Sequence, residues 1–266
     1  MISTPTMNLR SPIWILVLVL LWLGSTVAVA ANFNKKCAAN KGRSLVYGIG
    51  ASTMGSVLGP MLKVRLKRRK TSFRMWGKAS SGLARPDFHD WPSKITGIAR
   101  RFGPELFIVS LGTNDGQHLW NKKKWVKFGT AKWKTIYKER INNTLKKLVG
   151  KKKRRAVIWI GPYNMEGRNA STRGKVVQRL LKETVRSFDG PVAYHDLYKL
   201  TSNRDGSAIT SYKNSKGQKK RARARDGIHL STQAALTMIA LPVIRLIDKC
   251  LPKPPQAAKK RTKKKK

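Results

Sequence analysis

Between Gly50 and His229 the chain carries four short segments whose residue types belong to acyl transfer. They are Gly50-Ala51-Ser52-Thr53, Ser81-Gly82-Leu83, Gly112-Thr113-Asn114-Asp115 and Asp226-Gly227-Ile228-His229. A serine hydroxyl attacks a carbonyl only when a base removes its proton. Of the four histidines, His89, His118, His195 and His229, two have an aspartate three residues ahead, His118 and His229, and His229 is the one in the loop-like stretch that enters the last helix. Asp226 at that spacing can accept from the far ring nitrogen, fix the tautomer and stabilise the imidazolium. The tetrahedral intermediate needs hydrogen-bond donors. The backbone amides of Ser52 and Gly82 and the side-chain amide of Asn114 would supply three. The chemistry these residues fit is ester hydrolysis, with Ser52, His229 and Asp226 as a triad.

Each segment also has a plain structural alternative. Ser52 is a good helix cap, and Gly82 suits a backbone at positive φ. Asn114-Asp115 are ordinary turn residues, and Asp226-Gly227 could be a turn ahead of a capped helix. The four together, in this order and spacing, favour a site.

Such residues need elements that bring them to one rim. Apolar runs predict strands over Ser44–Ile49, Ser72–Trp76, Leu106–Leu111, Ala156–Ile160 and Val192–His195. Helical spacing predicts helices over Val57–Lys67, Asp90–Arg101, Ala131–Val149, Ser171–Phe188 and Thr232–Asp248, the last capped by Ser231. Gly50–Ser56 reads as a sharp turn, and residues 201–225, polar and very basic, as a loop. Strands alternating with helices, all with continuous apolar runs, point to an α/β fold with a parallel sheet covered on both faces. Ligands bind such sheets at the carboxyl ends of the strands. Ser52 and Asn114 each follow a strand, and Asp226 and His229 lie in the loop entering the last helix, so one rim would hold them all.

The four segments resemble the SGNH (GDSL-type) hydrolase superfamily, named for its Ser, Gly, Asn and His. Three longer stretches, Ser80-Ser81-Gly82-Leu83-Ala84-Arg85-Pro86-Asp87-Phe88-His89-Asp90-Trp91-Pro92, Leu111–Gln117 and Arg225–His229, resemble a bacterial, envelope-associated branch of mostly uncharacterised members. The resemblance spans residues 44–248. It implies a three-layer α/β/α sandwich around a parallel sheet of about five strands in a flavodoxin-like arrangement. It also implies the Ser52, His229 and Asp226 triad, an oxyanion hole from Ser52, Gly82 and Asn114, and no metal or other cofactor. One position departs from the pattern. The usual Gly-Asp-Ser is here Gly50-Ala51-Ser52, and alanine cannot give the hydrogen bonds by which the family's aspartate supports the nucleophile turn.

Neighbouring residues carry open readings. Arg85, close behind Gly82, would bind an anionic substrate group, with Asp87 beside it; a structural ion pair between the two is the alternative. Trp91 and Trp120 suit either a cleft mouth or core and rim packing. Asp115 fits ordering of the Asn114 loop better than chemistry. No His, Cys or Glu spacing suggests a metal.

Composition sets the compartment and the partners. The chain has 57 Lys+Arg against 12 Asp+Glu, a net charge of +45. Arg10 alone lies in the first thirty residues, and eight Lys or Arg follow Leu251, so the body between keeps +36. A surface so charged repels itself and attracts polyanions such as an anionic envelope polymer or a membrane face. Residues 1–30 read as a secretory signal, with Arg10 as basic flank, an apolar run over Ile13–Leu23 and Ala28-Val29-Ala30 as cleavage site. An uncleaved N-terminal anchor is the alternative. Either way a periplasmic or extracellular location is expected for the hydrolase-like domain, residues 31–251. Residues 252–266 read as a basic disordered tail. Cys37 and Cys250, the two cysteines, flank the body; one bridge between them or two buried thiols are both open. Specific nucleic-acid binding is not expected, because no recognition motif appears. The reading is an exported serine esterase acting on an acylated carbohydrate or another ester, with oligomeric state open. A lipid esterase finds no long apolar loop patch to support it. A catalytically weak homologue that binds a polyanion is the rival that Ala51 favours.

Overall fold

The computed structural model describes Phe33 and residues 45–251. The leader-like segment 1–30, Cys37 and the tail 252–266 lie outside the described residues.

Five parallel strands form the central sheet: β1 (Leu45–Gly50), β2 (Ser72–Gly77), β3 (Leu106–Ser110), β6 (Ala156–Ile160) and β7 (Val192–His195), in the order β2-β1-β3-β6-β7. Two short strands, β4 (Leu119–Asn121) and β5 (Lys124–Val126), form a separate hairpin between β3 and β6. The order reverses at β1, so β1 and β3 diverge at the switch point where open α/β sheets bind ligands. Successive strand residues bury on opposite faces. Val46, Leu106, Ile108, Ile158 and Ile160 face one layer, while Tyr47, Ile49, Phe107, Val109 and Trp159 face the other. Both faces being apolar is why these strands read as unbroken hydrophobic runs.

The first layer is α1 (Gly59–Lys67) with α6 (Thr232–Ala235) and α7 (Leu241–Cys250). The second is α2 (Trp91–Phe102), α3 (Ala131–Val149) and α4 (Arg168–Ser187), while α5 (Leu197–Leu200) is a single turn after β7. The result is a three-layer α/β/α sandwich. Asp90, Thr130 and Ser231 cap α2, α3 and α6 through backbone N–H groups three residues on, each at 3.2 Å.

The structure departs from the sequence reading in three places. First, the chain after β1 is not a sharp turn as far as Ser56. It is helical from Ser52 and passes through a π-helical turn, Met54–Leu58, before α1, with Gly59 N–H bonded to Met54 O. A second π turn, Leu236–Ala240, joins α6 to α7. Such turns hold one residue more than periodicity assumes and recur at functional sites. Second, residues 201–225 are not a plain loop. They contain an antiparallel hairpin, β8 (Ser211–Lys213) with β9 (Lys219–Arg221), and bridges Ser202–Ala208 and Arg223–Leu230. Third, β4 and β5 turn through Lys122 and Lys123, both at positive φ (48° and 60°). Asn-Gly is the usual occupant of such a turn, so the hairpin gave no sequence signal. Cys250 is buried and disulfide-bonded. Among the described residues no helix is long and apolar enough to cross a membrane.

Candidate active site

Ser52 opens the helical segment directly after β1. Ala51 N–H donates to Ser110 O at 3.1 Å, which ties the turn to the end of β3. Gly50 permits that approach, since a Cβ there would lie 2.6 Å from Ser110 O. Ala51 is buried, and its carbonyl accepts from Gly55 N–H at 3.2 Å, while Ser56 Oγ donates to Ser52 O at 2.7 Å. Main chain and Ser56 thus hold the turn at Ala51 without an acidic side chain.

Ser52 Oγ lies 2.9 Å from His229 Nε2, and His229 Nδ1 lies 2.7 Å from Asp226 Oδ2. Asp226 Oδ1 also accepts from the backbone N–H groups of Ile228 and His229, both at 2.9 Å. The bond from His229 is the main reason the Asp226 carboxyl is lowered to about 2. Asp226 is therefore an anion at neutral pH and accepts from His229 Nδ1. That leaves Nε2 free to take a proton from Ser52. The loop carrying the pair is a small closed ladder: Ala224 N–H donates to His229 O and Ser231 N–H to Ala222 O, both at 2.8 Å.

Gly82 and Asn114 meet through Ser81. Asn114 Nδ2 donates to Ser81 O at 2.9 Å, which spends one of its two N–H groups. Gly82 is not at positive φ; the close approach of Asp115 excludes a side chain, since a Cβ there would lie 2.1 Å from Asp115 Oδ1. Asp115 is fully buried and accepts from Ala84 N–H and from Tyr137 Oη, both at 2.8 Å. Burial pushes its carboxyl up, against the downward pull of those bonds and of Arg140. Arg140 of α3 donates to Leu83 O at 2.7 Å, Ala84 O at 3.0 Å and Trp120 O at 2.5 Å. The Gly82 loop is thus stapled to the core of the second layer.

Arg85 and Asp87 are committed to one another. Arg85 Nη2 lies 2.7 Å from Asp87 Oδ2 and Arg85 Nε 2.9 Å from Oδ1, and the Arg85 bond is the main reason the Asp87 carboxyl is lowered. Trp91 is core, donating from Nε1 to Ser81 Oγ at 3.1 Å, whereas Trp120 packs edge-on against Trp125 at the rim. The other histidines are engaged elsewhere. His89 sits on Trp91, His118 Nδ1 accepts from Phe128 N–H, and His195 Nε2 meets Met238 O at 2.7 Å.

Two residues near the triad escaped the sequence reading. Arg223, 2% exposed, donates to Ile209 O at 3.1 Å and Asn164 O at 2.5 Å, rooting the Asp226 loop in the segment after β6. Tyr163, on that segment, hydrogen-bonds Thr53 beside the nucleophile, and burial pushes its hydroxyl up to about 12. Arg223 lies in the basic run Lys219–Arg225, where nothing in the sequence marks one arginine as buried. A cavity of about 1020 Å³ is lined by Pro92, Thr96, Lys146, Lys151 and Arg155. None of Ser52, His229 and Asp226 lines it, so size is no guide to the chemistry here. A cavity of about 380 Å³ opens beside Asn114, lined also by Thr113, Met165, Asn169 and Arg173.

The model of a family described as "Protein of unknown function (DUF459)" matches residues 45–245. No curated protein matches the sequence. Among solved structures, the chain is similar to a carbohydrate acetylesterase from Sinorhizobium meliloti (TM-score 0.51, 12% identity, 77% of this chain and 98% of that one). It is also similar to the M. smegmatis aryl esterase (0.51, 10%, 78% and 100%) and to a candidate SGNH hydrolase from Slackia heliotrinireducens (0.50, 14%, 77% and 100%). The fold is that of the SGNH hydrolases.

Proposed function

We propose, for a chain that belongs to the DUF459 family of proteins of unknown function, that it is a serine ester hydrolase. The observation that carries this reading is the unbroken run of contacts from Ser52 Oγ through His229 to Asp226, at 2.9 and 2.7 Å. Ser52 Oγ attacks the ester carbonyl as His229 Nε2 takes its proton. The oxyanion is held by the N–H groups of Ser52 and Gly82 and the Asn114 amide. His229 then returns the proton to the leaving alcohol, and water repeats the sequence on the acyl-enzyme. Asp226, anionic and hydrogen-bonded to Nδ1, stabilises the imidazolium formed in both halves.

An O-acetyl group on an envelope polysaccharide is the proposed substrate. The carbohydrate acetylesterase among the similar structures and the leader-like residues 1–30 support it. In this reading the protein is exported to the periplasm or beyond, and its net charge of +45 concentrates it on an anionic polymer or membrane face. A second reading, a weak or inactive polyanion-binding homologue, rests on Ala51. The main-chain bonds and Ser56 that hold the nucleophile turn weaken it.

The test is turnover of 4-nitrophenyl acetate by the purified chain, beside Ser52→Ala and His229→Ala. Activity lost in both variants supports the enzyme; equal low rates in all three leave the binding role alone.

A further inference from the structure

Three aromatic rings at one edge of the site stay open to solvent: Trp76 (41% exposed), Phe88 (48%) and Trp125 (55%). Isolated exposed apolar residues are ordinary on a protein surface. These three are not isolated, and each has a cation over its ring. Lys94 Nζ stands 3.4 Å from the centre of Trp76, Lys78 Nζ 5.3 Å from Phe88, and Arg85 Cζ 4.7 Å from Trp125. The pairs form one row. Phe88 N–H donates to Arg85 O at 3.1 Å, joining the second pair to the third. Lys78 N–H donates to Gly50 O at 3.0 Å, which sets the row beside the nucleophile turn. Trp76 lies at the same end of β2, in register with Ile49. At the far end, the β4–β5 hairpin that carries Trp125 turns through Lys122 and Lys123, both exposed and both at positive φ.

Alternating ring faces and cations suit one kind of ligand. The exposed part of each ring, not the face its cation covers, takes the C–H face of a sugar ring, and the cations take its acidic substituents. We infer that this row docks an acidic polysaccharide, a glycan bearing carboxylate groups, and leads its acyl ester to Ser52. Asp87, by holding Arg85, positions the cation over Trp125 and leaves the guanidinium partly neutralised. Lys78, Lys94 and the Lys122–Lys123 tip then supply the row's remaining positive charge, and the polymer lies between the hairpin and the nucleophile. Single-stranded nucleic acid also stacks on aromatics in basic channels. The preference for a glycan rests on the esterase reading above, since a nucleic-acid chain offers no carboxylic ester to cleave.

The test is binding without turnover, in the full chain carrying Ser52→Ala. The probes are an oligogalacturonate of about ten units, a neutral dextran oligomer and oligo(dT), followed by calorimetry at two salt concentrations. The oligogalacturonate should bind and the dextran should not. Trp125→Ala and Phe88→Ala should each weaken binding about tenfold, and Trp125→Phe should restore most of it, with unchanged melting excluding misfolding. Lys122→Gln with Lys123→Gln should weaken binding several-fold, while Lys151→Gln with Lys152→Gln, the same charge loss at the opposite edge, should change it less than about twofold. The inference is overturned if the aromatic variants bind like the parent or if the two lysine pairs matter equally, which would be diffuse attraction. It is also overturned if oligo(dT) binds more tightly and is lost in the same variants. Because no step reads hydrolysis, its failure leaves the esterase reading standing, and an inactive Ser52 leaves this result intact.

Discussion

The two sides of the site are held in opposite ways. The donor side, Gly82 with Asn114, rests on Asp115, a fully buried carboxyl fixed by Tyr137 and by the Ala84 N–H, with Arg140 stapling the same loop. The proton side, Asp226 with His229, lies on a partly exposed loop whose bonds are mostly its own, anchored below by Arg223. Preorganised donors need rigidity, because their contribution depends on being in place before charge develops. A base that swings between serine and leaving group tolerates a surface loop. The donor side should therefore lose stability and activity together, and the His229 side chain of the proton side activity alone.

The largest effect expected is on the proton side. His229→Ala should lower kcat roughly ten-thousand-fold or more, with a melting temperature close to the parent's. A parallel fall in stability would erase the contrast. Asp115→Ala is the counterpart. It leaves the Ala84 N–H and the Tyr137 hydroxyl buried without their acceptor, at about 1–3 kcal/mol each. Melting should drop by roughly 4–24 °C for a domain of this size, and turnover should fall with it. Activity retained in a destabilised Asp115→Ala protein would show that the Gly82 loop stands without its staple.

Arg223 tests whether the surface loop has one deep root. Arg223→Met strips the donors from Ile209 O and Asn164 O, so stability should fall by about 1–3 kcal/mol. As Arg223 acts through the loop, kcat should fall while KM for a small ester stays constant. The smallest effect is in acid. Asp226 is depressed from the usual carboxylate value to about 2, chiefly by its bond with His229. Its stabilising contribution is complete above the ordinary value and is lost as pH falls toward 2. Melting curves of the parent and Asp226→Asn should differ slightly at pH 5 and converge near pH 2. Because the carboxylate is open to water the gap stays small, and a gap that widened in acid would reverse the sign.

The same contrast separates what the sequence revealed from what it hid. Runs such as Leu106–Ser110 and Ala156–Ile160 are apolar on both faces, so their burial is written in composition. Ala131–Val149 shows its inner face through Trp133, Tyr137, Ile141 and Leu145 at helical spacing. The site segments were legible through their residue types taken together, in their order and spacing. The π turns were hidden, because an added residue in a backbone ladder leaves no mark in residue type. The β8–β9 hairpin has three exposed residues, Lys219–Arg221, on one strand, with no apolar alternation to read. Arg223 was hidden by its neighbours, and the row of Trp76, Phe88 and Trp125 is drawn from three elements that only folding makes adjacent.

The account stands on Ser52 being made nucleophilic by His229. Incubating the purified chain with a fluorophosphonate and measuring intact mass and the modified peptide tests this directly. One adduct should form on Ser52, none in Ser52→Ala, and the rate should fall at least about a hundred-fold in His229→Ala. A parent protein that takes up no reagent, or a Ser52→Ala protein labelled as fast as the parent, would contradict it.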